Sequence, residues 1–193
     1  MTPASMRKVV LQMQVTLDGY VGTPDGDVEW AFPAFDAEFT ARGVELLWQA
    51  GVHVMGGITG KGLAEYWPRP DIEERDRPFA QPMNEIPKVV FSKTLDHLDW
   101  NATTITGGDL EEEMTRLKQA PGKDILVHGG ASFAQSLSKL GLIDEYQLVV
   151  HPVVLGRGLR LFPEPAQPLR LQVIEVRPFS SGAVLHISRP VPA

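Results

Sequence analysis

The residue pattern with the clearest chemical meaning lies between Asp124 and Phe133. A short apolar strand pattern runs into the pair Gly129-Gly130, and a helical pattern follows at once. Glycines let the backbone approach a ligand closely, and the free amides of a first helical turn carry a partial positive charge. An anion, most often a phosphate, is the natural guest of such a turn. This stretch alone leaves open the simpler alternative of a tight strand-to-helix turn without a ligand.

Composition restricts the class of protein. The chain has 193 residues, of which 43% are hydrophobic and 22% charged, and this predicts one globular domain over residues 1–193. The net charge of −6, without a long basic run, argues against a nucleic-acid partner. The absence of cysteine excludes disulfides, thiolate metal sites and cysteine nucleophiles. Because no signal-peptide pattern and no membrane-spanning apolar run occur, we expect a cytoplasmic protein without a membrane partner.

Apolar periodicity predicts strands that alternate with helices, followed by strands alone. The predicted strands are Val9–Val15, Val52–Met55, Lys88–Phe91, Thr103–Ile105, Asp124–Val127, Tyr146–Val154, Leu169–Val176 and Val184–Ser188. The predicted helices are one carrying Phe35, Phe39, Leu46 and Leu47, one at Lys61–Trp67, one that Asp109 caps, and one after Gly130. We expect Met1–Ser5 to be a loose leader and the proline-rich Pro68–Pro87 segment to be a loop or lid. This order predicts a three-layer α/β fold whose central mixed sheet, flanked by helices, has a parallel core and an antiparallel C-terminal edge.

Other chemical motifs are incomplete or absent. Gly156-Arg157-Gly158 begins a dinucleotide-binding pattern, but Leu161 stands at the position of its third glycine and no helix follows. No P-loop, HExxH or GxSxG sequence occurs. His128 and His151 each end an apolar strand, which favours hydrogen-bonded structural histidines over metal ligands. We therefore expect no metal site.

Five segments, taken in order, resemble the dihydrofolate reductase-like superfamily. The segments are Val15–Gly22, Lys88–Leu95, Leu126–Ala131, Ile143–Tyr146 leading into Pro152–Phe162, and Ser181–Val184. More narrowly, they are similar to the branch that contains the C-terminal reductase domain of bacterial riboflavin biosynthesis. Each segment is weakly specific alone, whereas the ordered set spans nearly the whole chain.

The resemblance implies an NADPH-dependent reductase whose cofactor lies across the carboxyl ends of the parallel strands. The implied cofactor-binding residues are Gly56, Thr59, Ser92, Lys93, Val127, Gly129, Gly130, Ala131 and Ser132. In this scheme the amides that follow Gly129 hold the pyrophosphate, and Thr59 caps the next helix near it. Ser92 and Lys93 meet the adenosine phosphate, a pairing of hydroxyl and cation that favours NADPH over NADH. Gly57 stands where the family usually carries arginine.

The same resemblance implies a covering loop and a carboxylate beside the substrate. The implied substrate-binding residues are Thr16, Asp18, Trp30, Arg157 and Arg160, and the implied catalytic residue is Asp36, with Glu38 as its substitute. Asp36 would bind the N–H and amino pair of a pyrimidine-like ring, and the two arginines would bind a substrate phosphate. The residues by themselves leave simpler roles open. Asp36 suits a helix N-terminus, Asp18 suits a turn, and the arginines suit a surface hairpin.

The expected activity is hydride transfer from NADPH to a small heterocycle of pyrimidine or pterin type. The reduction of a ribosylaminopyrimidine in riboflavin synthesis is the nearest named reaction. Two alternatives stay open. A true dihydrofolate reductase would be inhibited by antifolates, and a non-catalytic NADP-binding sensor would bind cofactor without turnover. The C-terminal strands resemble dimer-forming elements, so the resemblance also implies a homodimer.

Overall fold

The structure, a computed structural model, describes residues 6–162 and 168–191. The strands are β1 Val9–Thr16, β2 Tyr20–Gly22, β3 Ala50–Gly56, β4 Lys88–Phe91, β5 Thr103–Thr106, β6 Asp124–Val127, β7 Glu145–His151, β8 Leu159–Arg160, β9 Leu171–Pro178 and β10 Val184–Pro190. The helices are α1 Ala37–Gln49, α2 Gly57–Tyr66, α3 Arg77–Glu85, α4 Leu110–Gln119 and α5 Ala131–Lys139, with short 3-10 helices at Glu29–Ala34 and Glu74–Asp76. The expected leader, Met1–Ser5, lies outside the described residues.

One eight-stranded sheet organises the molecule in the order β5-β4-β3-β6-β1-β7-β10-β9. The strands from β5 to β7 in this order are parallel, whereas β10 and β9 are antiparallel to their neighbours. The predicted mixed sheet with a parallel core and an antiparallel C-terminal edge is confirmed. Because parallel strands share a direction, the carboxyl ends of these strands meet along one border of the sheet, which we call the carboxyl edge.

Helices cover both faces of the sheet. On one face, Leu11 and Val127 pack in a buried core with Leu137 of α5. On the other face, which we call the α1 face, Leu126 packs with Leu47 of α1. Successive strand residues point to opposite faces, so each strand feeds both cores. The result is the predicted arrangement of three layers.

Two aspartates determine where helices begin. The Asp36 carboxylate accepts a hydrogen bond from the Phe39 amide at 2.8 Å and caps α1. The Asp109 carboxylate accepts from the amides of Glu111 and Glu112 at 3.0 and 3.1 Å and caps α4, as predicted. Each cap satisfies amides that the helix itself leaves without an acceptor.

The Pro68–Pro87 segment is not the loop that its proline content predicted. It contains the 3-10 helix Glu74–Asp76 and α3. A proline lies in the first turn of α3, where the helix does not use its missing N–H. The ring of Phe79 meets that of Phe35 with centroids 6.5 Å apart, so contacts with the α1 region stabilise this helix. Phe35, predicted to lie on the first helix, instead precedes the α1 cap.

Gly43 and Gly62 provide a matched test of the packing of α1 on α3. Alanine in place of a mid-helix glycine ordinarily stabilises a protein by about 0.5–1 kcal/mol. A β-carbon at Gly62 would meet nothing within 4 Å, so we expect that gain for Gly62→Ala. A β-carbon at Gly43 would lie 2.8 Å from Phe79 Cε1, so Gly43→Ala should destabilise the protein by about 1 kcal/mol. Urea unfolding measures both, and a Gly43→Ala variant as stable as Gly62→Ala would contradict this packing.

Candidate active site

Two helices begin side by side at the carboxyl edge without a capping side chain. α2 follows β3 directly, α5 follows β6 after a short turn, and β3 and β6 are paired neighbours. Their N-caps are Gly56 and Gly130, and neither helix has a side-chain cap. The first amides of both helices are therefore available donors at the positive ends of two helix dipoles. Two such ends together suit a group with two negative charges, such as a pyrophosphate.

Close contacts require glycine at the turn between β6 and α5. Gly129 has a φ of +86°, and a β-carbon there would lie 2.7 Å from Met13 Sδ. A β-carbon at Gly130 would lie 2.9 Å from Thr59 Oγ1. The Gly130 amide donates to that oxygen at 2.7 Å, so Thr59 links the two helix starts. The peptide bond between the two glycines is cis.

Ser92 and Lys93 follow β4 at the same edge, next to β3. The Ser92 hydroxyl accepts from the amides of Thr94 and Leu95 at 3.2 and 3.1 Å, so it shapes the turn. Lys93 is exposed and has no ion-pair partner within residues 6–162 and 168–191. A β-carbon at Gly57 would lie 2.9 Å from Ser92 Oγ. The arginine that the family usually carries at position 57 would therefore clash with the Ser92 side chain as it lies here.

A fourth strand at the carboxyl edge, β5, leads to a helix that is unsuited to anions. Gly107-Gly108 follows β5, but Asp109 caps α4 with its carboxylate. The first turn of α4 also carries the acidic residues Glu111, Glu112 and Glu113. These negative charges already complement the helix dipole. The start of α4 therefore lacks the anion-binding character of the starts of α2 and α5.

The remaining predicted cofactor residues line the same turn in different ways. The Val127 side chain is fully buried in the core, so only its backbone reaches the edge. Ala131 is buried and Ser132 is exposed at the start of α5. Gly56 donates from its amide to the Gly129 carbonyl at 3.3 Å, which joins β3 to the turn after β6. The structure thus brings the predicted cofactor residues together along one border.

Thr16 and Asp18 hold a loop at the ends of β1 and β7. Thr16 Oγ1 donates to Asp18 at 2.6 Å, and the Asp18 carboxylate accepts from the amides of Leu155 and Gly156 at 3.2 and 2.7 Å. The hydrogen bond from Thr16, with those from the two amides, lowers the pKa of Asp18. These contacts match the turn-forming alternative, and the substrate contacts proposed for both residues stay predictions.

The two candidate catalytic carboxylates both contact the hairpin between β9 and β10. Besides capping α1, Asp36 accepts from the Ser180 hydroxyl at 2.6 Å and from the Ser181 amide at 3.3 Å. The hydrogen bonds from the Phe39 amide and from Ser180 lower the pKa of Asp36. Glu38 forms an ion pair with Arg177 of β9 at 2.7 Å. Both Asp36 oxygens accept hydrogen bonds from the protein, which favours the helix-acid alternative for Asp36.

The two candidate phosphate-binding arginines differ. Arg160 lies over the Tyr20 ring, with its guanidinium carbon 4.9 Å from the centroid, and donates to the Tyr20 hydroxyl at 3.2 Å. Arg157 is exposed. Arg160 therefore stabilises the pairing of β2 with β8, as the surface-hairpin alternative anticipated. Phosphate binding by the pair stays a prediction.

Trp30, the predicted loop residue, packs on a buried histidine near the ends of β1 and β7. Its ring meets His151 edge-on with centroids 5.3 Å apart, and Trp30 Nε1 is buried without a hydrogen-bond partner. His151 Nε2 lies 2.7 Å from Gln14 Oε1, which makes Nε2 the protonated nitrogen. Burial lowers the pKa of His151 to about 4. The prediction that His151 is a hydrogen-bonded structural histidine is confirmed.

His53 and His128 form a buried pair that the sequence did not reveal. Their ring centroids are 4.6 Å apart. Within residues 6–162 and 168–191, both nitrogens of His53 and Nε2 of His128 lack a hydrogen-bond partner. Burial lowers the pKa of His128 to about 4 and that of His53 to about 2, with added effects of His128 and Lys88 on His53. The prediction of a hydrogen-bonded His128 is wrong. Unpartnered buried polar atoms are rare and often mark places where a ligand or water binds.

The chain is similar in sequence to known proteins. The family model of the RibD C-terminal domain matches residues 7–185. The uncharacterised protein YyaP of Bacillus subtilis is 34% identical over 178 residues, which cover 92% of each chain. The family match includes the strands from β1 to β9 and the starts of α2 and α5.

Two solved structures share the fold at low sequence identity. A diaminohydroxyphosphoribosylaminopyrimidine deaminase/5-amino-6-(5-phosphoribosylamino)uracil reductase from Thermotoga maritima has a TM-score of 0.68 and 18% identity, over 96% of this chain and 57% of that one. Dihydrofolate reductase from Enterococcus faecalis, solved with NADP(H), has a TM-score of 0.62 and 12% identity, over 95% and 96%. The fold is therefore dihydrofolate reductase-like.

The chain belongs to the RibD C-terminal domain family. This family and this fold are those of reductases, and the resemblance seen in the sequence is confirmed. Across residues 6–162 and 168–191, no helix has the length and apolar character needed to cross a membrane. Over the same residues, no group of three or more His, Cys, Asp or Glu side chains is placed to hold a metal ion.

The buried histidines predict a loss of stability in mild acid. His53, His128 and His151 have pKa values depressed below the ordinary 6.5, so below that pH the unfolded chain binds protons that the folded protein does not. The free energy of unfolding should fall between pH 6.5 and about 4, by up to about 1.4 kcal/mol per pH unit for each histidine. Urea unfolding across this range measures the slope.

His53→Leu should reduce that slope, whatever it does to the stability at neutral pH. The control is His97→Leu on an exposed loop, which should leave the slope unchanged. A free energy of unfolding that is constant from pH 6.5 to 4.5 would show that these histidines are not buried and neutral.

Proposed function

We propose that this protein is an NADPH-dependent oxidoreductase that reduces a small heterocycle of pyrimidine or pterin type. The observation that carries the proposal is the pair of helix starts at α2 and α5, which lack side-chain caps and meet at one edge. Membership of a reductase family supports the reaction class. The name of the Thermotoga maritima protein includes a uracil reductase activity, and the Enterococcus faecalis enzyme was solved with NADP(H).

The residues at the edge fit a dinucleotide that carries two phosphate sites. The amides after Gly56 and Gly130 suit the pyrophosphate, and the close approach of Thr59 to Gly130 leaves room there for backbone only. Ser92 and Lys93, one strand further along, suit the phosphate that distinguishes NADPH from NADH. When bound, the cofactor supplies a hydride. The protein's own contribution is to position the acceptor and to exclude water.

A reduction of this kind also needs a proton for the acceptor. Asp36 and Glu38 are the predicted donors, and this role stays a prediction for each. Phe39 and Ser180 engage both oxygens of Asp36, which favours a structural role for that residue. Arg177 binds only Oε1 of Glu38. The expected cytoplasmic location also stays a prediction.

The two alternative functions make different predictions. A true dihydrofolate reductase places a free carboxylate beside the pterin, whereas Asp36 is held by Phe39 and Ser180. Inhibition by antifolates would restore this alternative. A non-catalytic sensor would bind NADPH and show no turnover with pyrimidine, pterin or quinone acceptors. All three functions include binding of the cofactor, so the uncapped helix starts are compatible with each of them.

Titration with NADPH and NADH, followed by nicotinamide fluorescence, tests cofactor binding and its phosphate selectivity. We expect NADPH to bind more tightly than NADH. Lys93→Ala should weaken NADPH about three- to tenfold and leave NADH unchanged, because a single exposed ionic contact is lost. Lys139→Ala, an exposed lysine at the far end of α5, is the matched control. A native protein that binds neither nucleotide would refute the proposed function.

We further propose that β9 joins two copies of the chain. β9 is the outermost strand of the sheet, and Val173, Ile174 and Val176 on it are 53, 45 and 54% exposed. An exposed apolar edge strand is a template for pairing with another strand. Antiparallel pairing centred on Val176 would set Glu175 of one protomer opposite Arg177 of the partner subunit. Opposite charges facing each other across strands stabilise that register.

Val176→Glu tests the homodimer, because it places two like charges at the centre of the pairing. We expect the native protein to sediment as a dimer at micromolar concentration and the variant as a monomer. Ile58→Glu is the control, since Ile58 is 94% exposed on α2, away from β9. A native monomer, or a variant that stays dimeric, would contradict pairing through β9.

A further inference from the structure

A set of polar side chains occupies the α1 face of the sheet beside the candidate cofactor turn. β1 and β6 pair in parallel with Leu11 opposite Val127, and both of these side chains lie in the core on the other face. The next residues, Gln12 and His128, therefore project to the α1 face as neighbours. His53 lies between Val52 and Val54, whose side chains belong to the core on the other face, so His53 also projects to the α1 face. Its contact with His128 agrees with this placement.

Gln12 and His128 have hydrogen-bonding capacity that nothing in the described chain uses. Gln12 is half-buried, and its side chain makes no hydrogen bond within residues 6–162 and 168–191. His128 Nε2 is buried without a partner, and so is Trp30 Nε1, whose ring packs on His151. Unmet buried donors and acceptors at the border of a candidate active site are suited to a ligand's own polar groups.

The histidines of the α1 face are uncharged at neutral pH. Burial depresses the pKa values of His128 and His151 to about 4, so both are neutral at pH 7. The Lys88 ammonium donates to the carbonyls of Met83 and Asn84 at 3.0 and 2.8 Å, and Arg75 lies over the Phe32 ring. His53 lies between Lys88 and His128 on the α1 face and is itself neutral.

The carboxylates in this part of the molecule have protein partners, including the buried Asp76, which accepts from the Tyr66 hydroxyl and pairs with Arg75. Asp36 caps α1 and accepts from Ser180, and Asp18 binds the amides of Leu155 and Gly156. Glu145, on the α1 face at the opposite end of β7, is bound by Gln147 and Arg189. A positively charged ring buried here would therefore lack a counter-ion and pay a large desolvation penalty.

We propose that Gln12 and His128 hold the ring of the hydride acceptor through hydrogen bonds between neutral groups, and that they select uncharged rings over cationic ones. This inference rests on the proposed function. The Gln12 amide offers both a donor and an acceptor to a ring that carries an N–H beside a carbonyl. His128 Nε2 adds one more contact directly before Gly129-Gly130, the turn at which the cofactor would bind. A basic diaminopyrimidine ring meets no carboxylate in this arrangement.

The experiment compares two probes with the NADPH-loaded native protein by calorimetry. The first probe is an uncharged diaminouracil, and the second is trimethoprim, which carries a basic diaminopyrimidine. We expect the uncharged probe to bind at least about tenfold more tightly, since unpaired buried groups reject the mismatched ring. Gln12→Leu should weaken the uncharged probe about three- to tenfold. Gln12→Glu, which supplies a carboxylate, should shift preference toward trimethoprim.

Further variants separate recognition from folding. His128→Leu should weaken the uncharged probe, whereas His128→Gln, which retains a neutral polar group, should retain most of the binding. Gln172→Leu on β9 is the matched control and should change nothing. Each variant is first titrated with NADPH, so that failure of cofactor binding in the native protein counts against the proposed function alone. Equal affinity for both probes, no binding of the uncharged probe, or unchanged binding in Gln12→Leu and His128→Leu would overturn the inference.

Discussion

The parallel pairing of β3 with β6 is the interaction on which the candidate site depends. It places two helix starts next to each other. A hydrogen bond of 2.7 Å from the Gly130 amide to Thr59 Oγ1 connects them. Neither start carries a capping side chain, unlike α1 and α4, where aspartates satisfy the same amides. The protein thus keeps two positive dipole ends available in one place, which is the physical basis for expecting a dinucleotide.

The α1 face of the sheet has a different character from that edge. It combines apolar packing under α1 with neutral polar groups at Gln12, Gln14 and the buried histidines. Unpaired polar atoms in such surroundings cost stability. The acceptor site proposed above would account for these unpaired atoms, which a simple apolar core would not contain. The carboxylates of Asp36 and Asp18 already accept hydrogen bonds from a helix start and from loop amides.

The local parts of this organisation could be predicted from sequence, and the long-range parts could not. The turn at Gly129-Gly130, the Asp109 cap and the mixed sheet follow from spacing and periodicity, because neighbouring residues determine them. α3 was missed because its prolines suggested a break, while contacts with α1 stabilise it. Asp36 and Ser180 lie 144 residues apart, and nothing near either residue indicates that they meet. The polar alternation of β1 at Gln12 and Gln14 was a usable signal for the α1 face.

The place of β1 in the sheet has a consequence for how the chain assembles during synthesis. β1 is made first, yet its partners are β6 at Asp124–Val127 and β7 at Glu145–His151. The strand at the centre of the sheet therefore waits, as an exposed apolar segment, until most of the polypeptide has left the ribosome. Sheets closed by such distant pairings form slowly and expose aggregation-prone surface in the interval. A nascent chain halted before β7 should thus be a client for chaperones that shield extended apolar segments.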